Sequence, residues 1–264
     1  MPHSRASSAA LAAGARCVAV CAIAAGCWVT PSHVLAQTPP QMPPQGPPRP
    51  RVYGATPPPR VPSRVEKLED SRVRIGTVVV NLATKEVSVP GVINDVPVLE
   101  FLVNTRGGYK SYESAIEIDS NAIDFNLGLI LIGLDRDHAT NRPRFHFDPI
   151  PPSGDPVELW VSWMVDGAER RVRAEELIWN ESTKTTMPVG RWVYTGSRFV
   201  QGSTAFLADV DGVVVGFVHT PAPLIERADP VPGPYGAIRI NPNLQLKPGT
   251  AVSLIARAAT APSR

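Results

Sequence analysis

The sequence predicts an α+β fold: a predominantly antiparallel β-sheet, one buried helix at about 121–134, and a disordered, proline-rich amino-terminal segment. Three observations carry this. From Arg72 onward, short runs of Val, Ile, Leu and aromatic residues alternate with Gly, Pro, Asn and Asp, which is the rhythm of strands and turns. One stretch, "NAIDFNLGLILIGL" at Asn121–Leu134, is apolar on nearly every side and too long for a strand. Residues 38–62 hold 11 prolines in 25 positions, and proline, with its φ fixed and no N–H to donate, cannot build a packed core.

The elements follow in chain order. Residues 1–36 read as a signal peptide: Arg5 and Arg16 with no acid before position 65, the apolar run "CVAVCAIAAGCWV" at Cys17–Val29, then "HVLAQ" with cleavage near Ala36. Thirteen apolar residues are too few to span a bilayer, which needs about 20, so no membrane span is expected after cleavage. A rival reading takes "IAAGC" as a lipoprotein signal with Cys27 acylated. The fit is loose, because Ala24 stands where a larger aliphatic residue is usual.

Residues 37–64 read as a disordered spacer in the polyproline II conformation, which at about 3.1 Å per residue reaches on the order of 75 Å. The alternative is a docking sequence for a proline-binding domain.

Cleavage would also remove Cys17, Cys21 and Cys27, all the cysteines in the chain. That excludes disulfides, thiolate zinc sites and cysteine nucleophiles from the mature protein. It removes two arginines and no acid from 26 basic against 24 acidic residues, leaving a neutral chain. The broad basic surface that nucleic acid requires is therefore missing, and the expected partner is an envelope component or protein. The folded domain is set at residues 65–260.

Strands are expected at residues 73–81, 86–89, 96–104, 110–119, 156–165, 170–173, 191–194, 205–210, 213–219 and 252–258. "RGG" at 106–108 and the two "VDG" triplets at 165–167 and 210–212 read as hairpin turns, with glycine supplying positive φ. The helix at 121–134 is expected to be capped by Asn121, with Asp124 pointing back at the first free amides. At roughly 1.5 Å per residue it would run about 21 Å, with Leu129, Ile130, Leu131 and Ile132 in the core. A lipid-binding role for this stripe is the minor alternative.

Taken together, "VSVPG" at 87–91, "LEFLV" at 99–103, "GGYKSYES" at 107–114 leading to a helix ending "LIGL", "WVSWMVDG" at 160–167, "WVYTGSRF" at 192–199 and "ADVDGVVVGFVHTPAPLIE" at 208–226 resemble the YdjY-like domain of exported bacterial proteins. The resemblance covers about residues 66–258. It implies a fold and an exported, periplasmic or secreted location, but no activity. In that family the position of Tyr112 is often histidine, so a metal or general-base role for that side chain does not carry over to this tyrosine. An iron–sulfur label that travels with such proteins fails for want of cysteines, and no cofactor is expected.

Three places draw attention as sites. Tyr112, Glu113 and Ser114 place an acid beside a hydroxyl. Neighbours on a strand point to opposite faces, so Glu113 and Ser114 cannot act as a dyad, and Ser114 reads as a buried serine tying the hairpin to the fold. Gly196, Ser197 and Arg198, in "YTGSRF", lack the second glycine of a nucleophile elbow, and Ser197 reads as a turn or bulge residue. "LDRDHATNRPRFHFD" gathers Asp135, Asp137, His138, His146 and Asp148, groups that suit divalent metals, but the spacing matches no ligand motif and lacks the glycine and distal glutamate of a calcium loop, so the segment reads as a solvated loop crossing over the sheet. "DVDG" at 209–212 reads as a hairpin turn and not as half a calcium site, and the sequon at Asn180–Ser182 has meaning only in a glycosylating route.

Two functions are thus compatible with the sequence. The chain is either a noncatalytic envelope module binding through a cleft near Glu113, Ser197 and Arg198, or a serine or metal-dependent hydrolase in which His138, His146 or His219 meets an acid and a serine. A histidine within hydrogen-bond reach of a serine or a carboxylate inside a pocket is what the second requires.

Overall fold

A computed structural model describes residues 62–140, 148–231, 234 and 236–259. The expected signal segment, Cys27, His146 and all of the proline-rich segment but residues 62–64 lie outside the described residues.

The chain is mostly β, and its centre is a closed barrel of eight strands. Strands β1 (Val65–Lys67), β2 (Arg72–Ile75), β3 (Val78–Asn81) and β4 (Glu86–Ile93) form an antiparallel meander. β5 (Phe101–Thr105) and β6 (Ser114–Ile118) come next, followed by helix α1 (Ala122–Leu131). A long hairpin of β7 (Asp155–Val165) and β8 (Ala168–Arg173) leads into α2 (Ala174–Leu177), β9 (Ile178–Asn180) and β10 (Thr185–Thr186). Then come β11 (Trp192–Tyr194), α3 (Leu207–Asp211), β12 (Val213–Gly216), β13 (Ile225–Arg227), β14 (Ile238–Ile240) and β15 (Ala251–Ala258). The ring runs β4–β15–β7–β11–β13–β12–β5–β6 and closes where β6 pairs back onto β4. A separate small sheet has the order β10–β9–β14.

The ring follows from alternation along its long strands. Val87, Val89, Gly91 and Ile93 of β4, Val157, Leu159 and Val161 of β7, and Val252, Leu254 and Ala256 of β15 are buried and two residues apart, as period-two patterning requires. Pro90 marks the point where β4 changes neighbours. On one side β4 pairs β3 through Ser88, and on the other it pairs β6 from Gly91. A residue without an N–H fits such a break in the ladder.

The sheet departs from the expected antiparallel order in two places. β5 and β6 run parallel, as do β12 and β13, although each pair is joined by a short loop where parallel strands commonly need a dozen or more residues. The reason is local. After "RGG" the chain makes a 3-10 stretch at Tyr109–Glu113, kinked at Lys110, which returns it to the start of β5 and does not reverse it into a hairpin. The expected strand at 110–119 therefore begins only at Ser114. Likewise the second "VDG" closes α3: Gly212 is its left-handed C-cap with φ 74°, so the strand expected at 205–210 is helical. The single strand expected at 73–81 is a hairpin broken at Gly76, φ 59°. The first "VDG" does form a hairpin, with Asp166 and Gly167 both at positive φ, the type I′ signature.

Helix α1 is capped as expected by Asn121, whose side chain accepts from Asp124 N at 2.7 Å. Asp124, however, turns to Ser63, accepting from its N at 2.7 Å and its Oγ at 2.6 Å. The first amide of the helix is taken instead by Asp209, at 2.7 Å from Ala122 N. Ten residues make the helix about 15 Å long. It lies on β2, β3 and β4, with Gly128 against Val78, Val80 and Val87. One correction concerns its core residues: Leu129 and Ile132 are buried, but Ile130 is 47% and Leu131 39% exposed, because only one face of the helix meets the sheet. Among the described residues no helix is long and apolar enough to cross a membrane.

Candidate functional site

A cavity of about 700 Å³ opens beside the β5, β12 and β13 strands of the barrel and β14 of the small sheet. The loop from β12 to β13, "FVHTPAPL", forms one wall. Two prolines stiffen it, Val218 N donates to Glu100 O at 3.2 Å, and Leu224 N to Val214 O at 3.0 Å. This folds the loop back along its own strand and delivers His219 to Glu226 on β13.

His219 Nδ1 and Glu226 Oε1 are 2.6 Å apart. Glu226 is 1% exposed, while His219 keeps part of its ring at the cavity surface. With Nδ1 engaged, Nε2 is the imidazole nitrogen left for anything bound there. Burial pushes the Glu226 carboxyl above its usual range, and the contacts with His219 and Thr220 N pull it back only in part. A carboxyl raised in the folded state lends its full stability below the ordinary glutamate value of 4.5 and loses it as pH rises through the raised value. The urea midpoint of the protein is thus expected to fall as pH rises above the ordinary value of 4.5, and Glu226→Gln to flatten that fall; an unchanged slope in the variant would assign it to other groups.

The rest of the wall is mixed. Leu99, Phe217, Val218, Val231 and Ile238 supply an apolar lining with several prolines, and Glu100, Asp148, Arg191, Arg227 and Asp229 supply charge. Asp229 is held by Arg191, whose N donates at 2.6 Å and Nε at 3.0 Å.

The site candidates read from the sequence fall elsewhere. Tyr112 is 45% exposed beside Tyr109, and Glu113 is ion-paired with Lys110 at 3.0 Å. Burial opposes the Lys110 charge, but the bonds to Tyr112 and Glu113 outweigh it and push the ammonium up to about 12. Ser114 is buried and donates to Lys110 O at 2.8 Å, the tie foreseen for it, although it secures a 3-10 turn instead of a hairpin. Gly196 is at φ 71° and Ser197 at φ 50°. Ser197 Oγ donates to Ala222 O at 2.8 Å and accepts from Ala208 N at 3.1 Å, so its proton is committed and it is no nucleophile. Ser197, Arg198 and Glu226 line a recess of about 10 Å³, room for one water at most. The two expected segments do approach one another through Asp211, which burial pushes up while Arg198 and Lys110 pull it down.

In the acidic loop, Asp135 accepts from Asp137 N at 2.8 Å, and His138 Nδ1 lies 2.7 Å from Asp155 on β7; that bond raises the His138 pKa. Asp148 accepts from Ile150 N at 3.1 Å and faces the large cavity. Among the described residues no three His, Cys, Asp or Glu side chains converge in a way that could hold a metal. Glu100, Glu226 and Arg227 were not singled out from the sequence. The signal for them was faint: buried acids and an arginine in otherwise apolar strands at "LEFLV" and "LIER".

With this geometry in view, the comparison with known families is direct. The model of the YdjY domain matches residues 78–255, and the chain belongs to that family. No curated protein and no solved structure matches it.

Proposed function

We propose that the protein is an exported cell-envelope module that binds a ligand in the cleft beside β5, β12, β13 and β14, noncatalytically, with its proline-rich segment as spacer. The observation that carries this reading is the cavity itself: about 700 Å³ lies within the range of small-molecule sites, with an apolar lining and a few convergent polar groups. Export, to the periplasm or beyond, rests on the amino-terminal pattern and cleavage near Ala36, with Cys27 acylation as its rival. The expected partner is an envelope component, not nucleic acid.

Thermal unfolding of the full chain with a panel of cell-envelope fragments tests the reading. A ligand at 100 times its Kd adds about 2.7 kcal/mol, a rise of roughly 5–10 °C for a domain of this size. Val218→Trp, which fills the cleft, should abolish the rise. A shift that survives Val218→Trp would move the site elsewhere.

A second reading, hydrolysis, is favoured by one observation, the His219–Glu226 pair. A base oriented by a buried carboxylate is how water is activated in general-base catalysis. The Ser197 and Ser114 hydroxyls each donate to a backbone carbonyl, so a hydrolase here would use water and not either serine. Loss of ester hydrolysis on His219→Gln, with ligand binding retained, would establish it.

A further inference from the structure

Among the polar groups of the cleft wall, His219 is held from behind and open in front. Its Nδ1 lies 2.6 Å from Glu226 Oε1. Glu226 is 1% exposed and also accepts from Thr220 N. An ionised carboxylate can only accept, so in that state Nδ1 is the ring nitrogen that carries the proton. Nε2 is then a bare lone pair, made more basic by the carboxylate on the far side of the ring. It has no partner among the described residues and is not one of the enclosed polar atoms, and the side chain is 21% exposed and lines the cavity. A ligand in the cleft can therefore reach it. The arginines of the wall offer an anion less. Arg227 has Nε and Nη1 enclosed, away from the cavity and without an acceptor among the described residues, and the Arg191 charge is offset by Asp229, 3.0 Å from its Nε.

We propose that the cleft binds an uncharged apolar molecule carrying a hydroxyl, whose O–H donates to His219 Nε2; this rests on the cleft being the ligand site. Leu99, Phe217, Val218, Val231 and Ile238 supply the surface for the body. A lone pair set in an apolar wall selects for a donor, because a ligand without one strips Nε2 of water and leaves it unpaired. A carboxylate is disfavoured, since its oxygens would face both that lone pair and the Glu226 charge behind it. An ammonium would donate as well, but it loses more hydration on entering an apolar lining than one imidazole returns.

Two measurements on the full chain at about pH 8, above the ordinary range of both histidine and glutamate, test this. The ring nitrogen NMR signals of His219 are expected to show the proton on Nδ1 and a bare Nε2, and the Nε2 signal to move with 4-ethylphenol but not with its methyl ether, 4-ethylanisole. Titration calorimetry is expected to give about tenfold tighter binding of the phenol than of the ether, and binding of 4-ethylbenzoate no tighter than that of the ether. His219→Phe should bring the phenol down to the ether. Because that substitution takes a partner from buried Glu226 and can fail to fold, the two measurements on the unsubstituted protein decide by themselves. A proton on Nε2, equal affinity for phenol and ether, or no phenol binding at millimolar concentration overturns the hydroxyl assignment. If the ether still binds and Val218→Trp abolishes its binding, the cleft survives without it. Phenol binding untouched by Val218→Trp overturns both.

Discussion

Trp192→Ala is expected to lower the unfolding free energy by about 3–5 kcal/mol, the range for emptying a large buried aromatic site. Three effects add at this position. The ring is fully buried in the barrel, its Nε1 donates to Glu175 at 3.0 Å, and its face carries the Arg227 guanidinium. Alanine opens a void beneath one charge and removes a donor from another. Trp192→Phe keeps most of the apolar area but leaves Glu175, which is fully buried, short of a partner, for about 1–3 kcal/mol. Urea denaturation of the three proteins measures both steps. A phenylalanine variant as stable as the parent would show that the indole N–H matters little and that Arg173 and Gly190 N satisfy Glu175.

The second large effect is expected at Gly212. It caps α3 at φ 74°, and a Cβ there would press on Gly108 and come within 2.8 Å of Tyr109 N. A Cβ on Gly108 would in turn lie 2.9 Å from Gly212 Cα. The loop after β5 and the end of α3 thus touch backbone to backbone. Gly212→Ala combines left-handed strain with overpacking, each of about 1–3 kcal/mol, and its chemical-denaturation midpoint should drop accordingly. Gly167→Ala is the control, since it shares a positive φ of 81° but has open space around the added methyl. A Gly212 variant no worse than that control would mean the close approach is relieved by a small loop shift.

The β-rich character, the capped helix α1, the β7–β8 hairpin and the family were legible because each is written locally, in alternation, in an Asn–x–x–Asp cap and in an Asp–Gly turn. What was not legible is long-range. Gly107 and Gly212 announce a change of direction, but nothing near them says whether the next strand lies parallel or antiparallel to the last. Ring closure depends on β6 finding β4 and on β15 entering between β4 and β7, pairings that no short window records. The same limit hid the site. His219 was a candidate, but Glu226 reads as one more charged residue at a strand end until the "TPAP" loop folds back. Arg227 is informative only through what it fails to touch. Ile130 and Leu131 were misread for the complementary reason: a sequence apolar all round gives no sign of which face will be covered.

The position of β15 bears on how the chain can be made. This strand, the last of the described segment, pairs β4 along one edge and β7 along the other. Until residues 251–258 have emerged, those two long strands each present a bare edge, the template on which β proteins join one another. Nearly the whole domain must therefore be synthesised before the barrel can shut. Folding is set by contacts between distant parts of the chain and is correspondingly slow. The last strand thus acts as a latch that engages only when the full domain has been made.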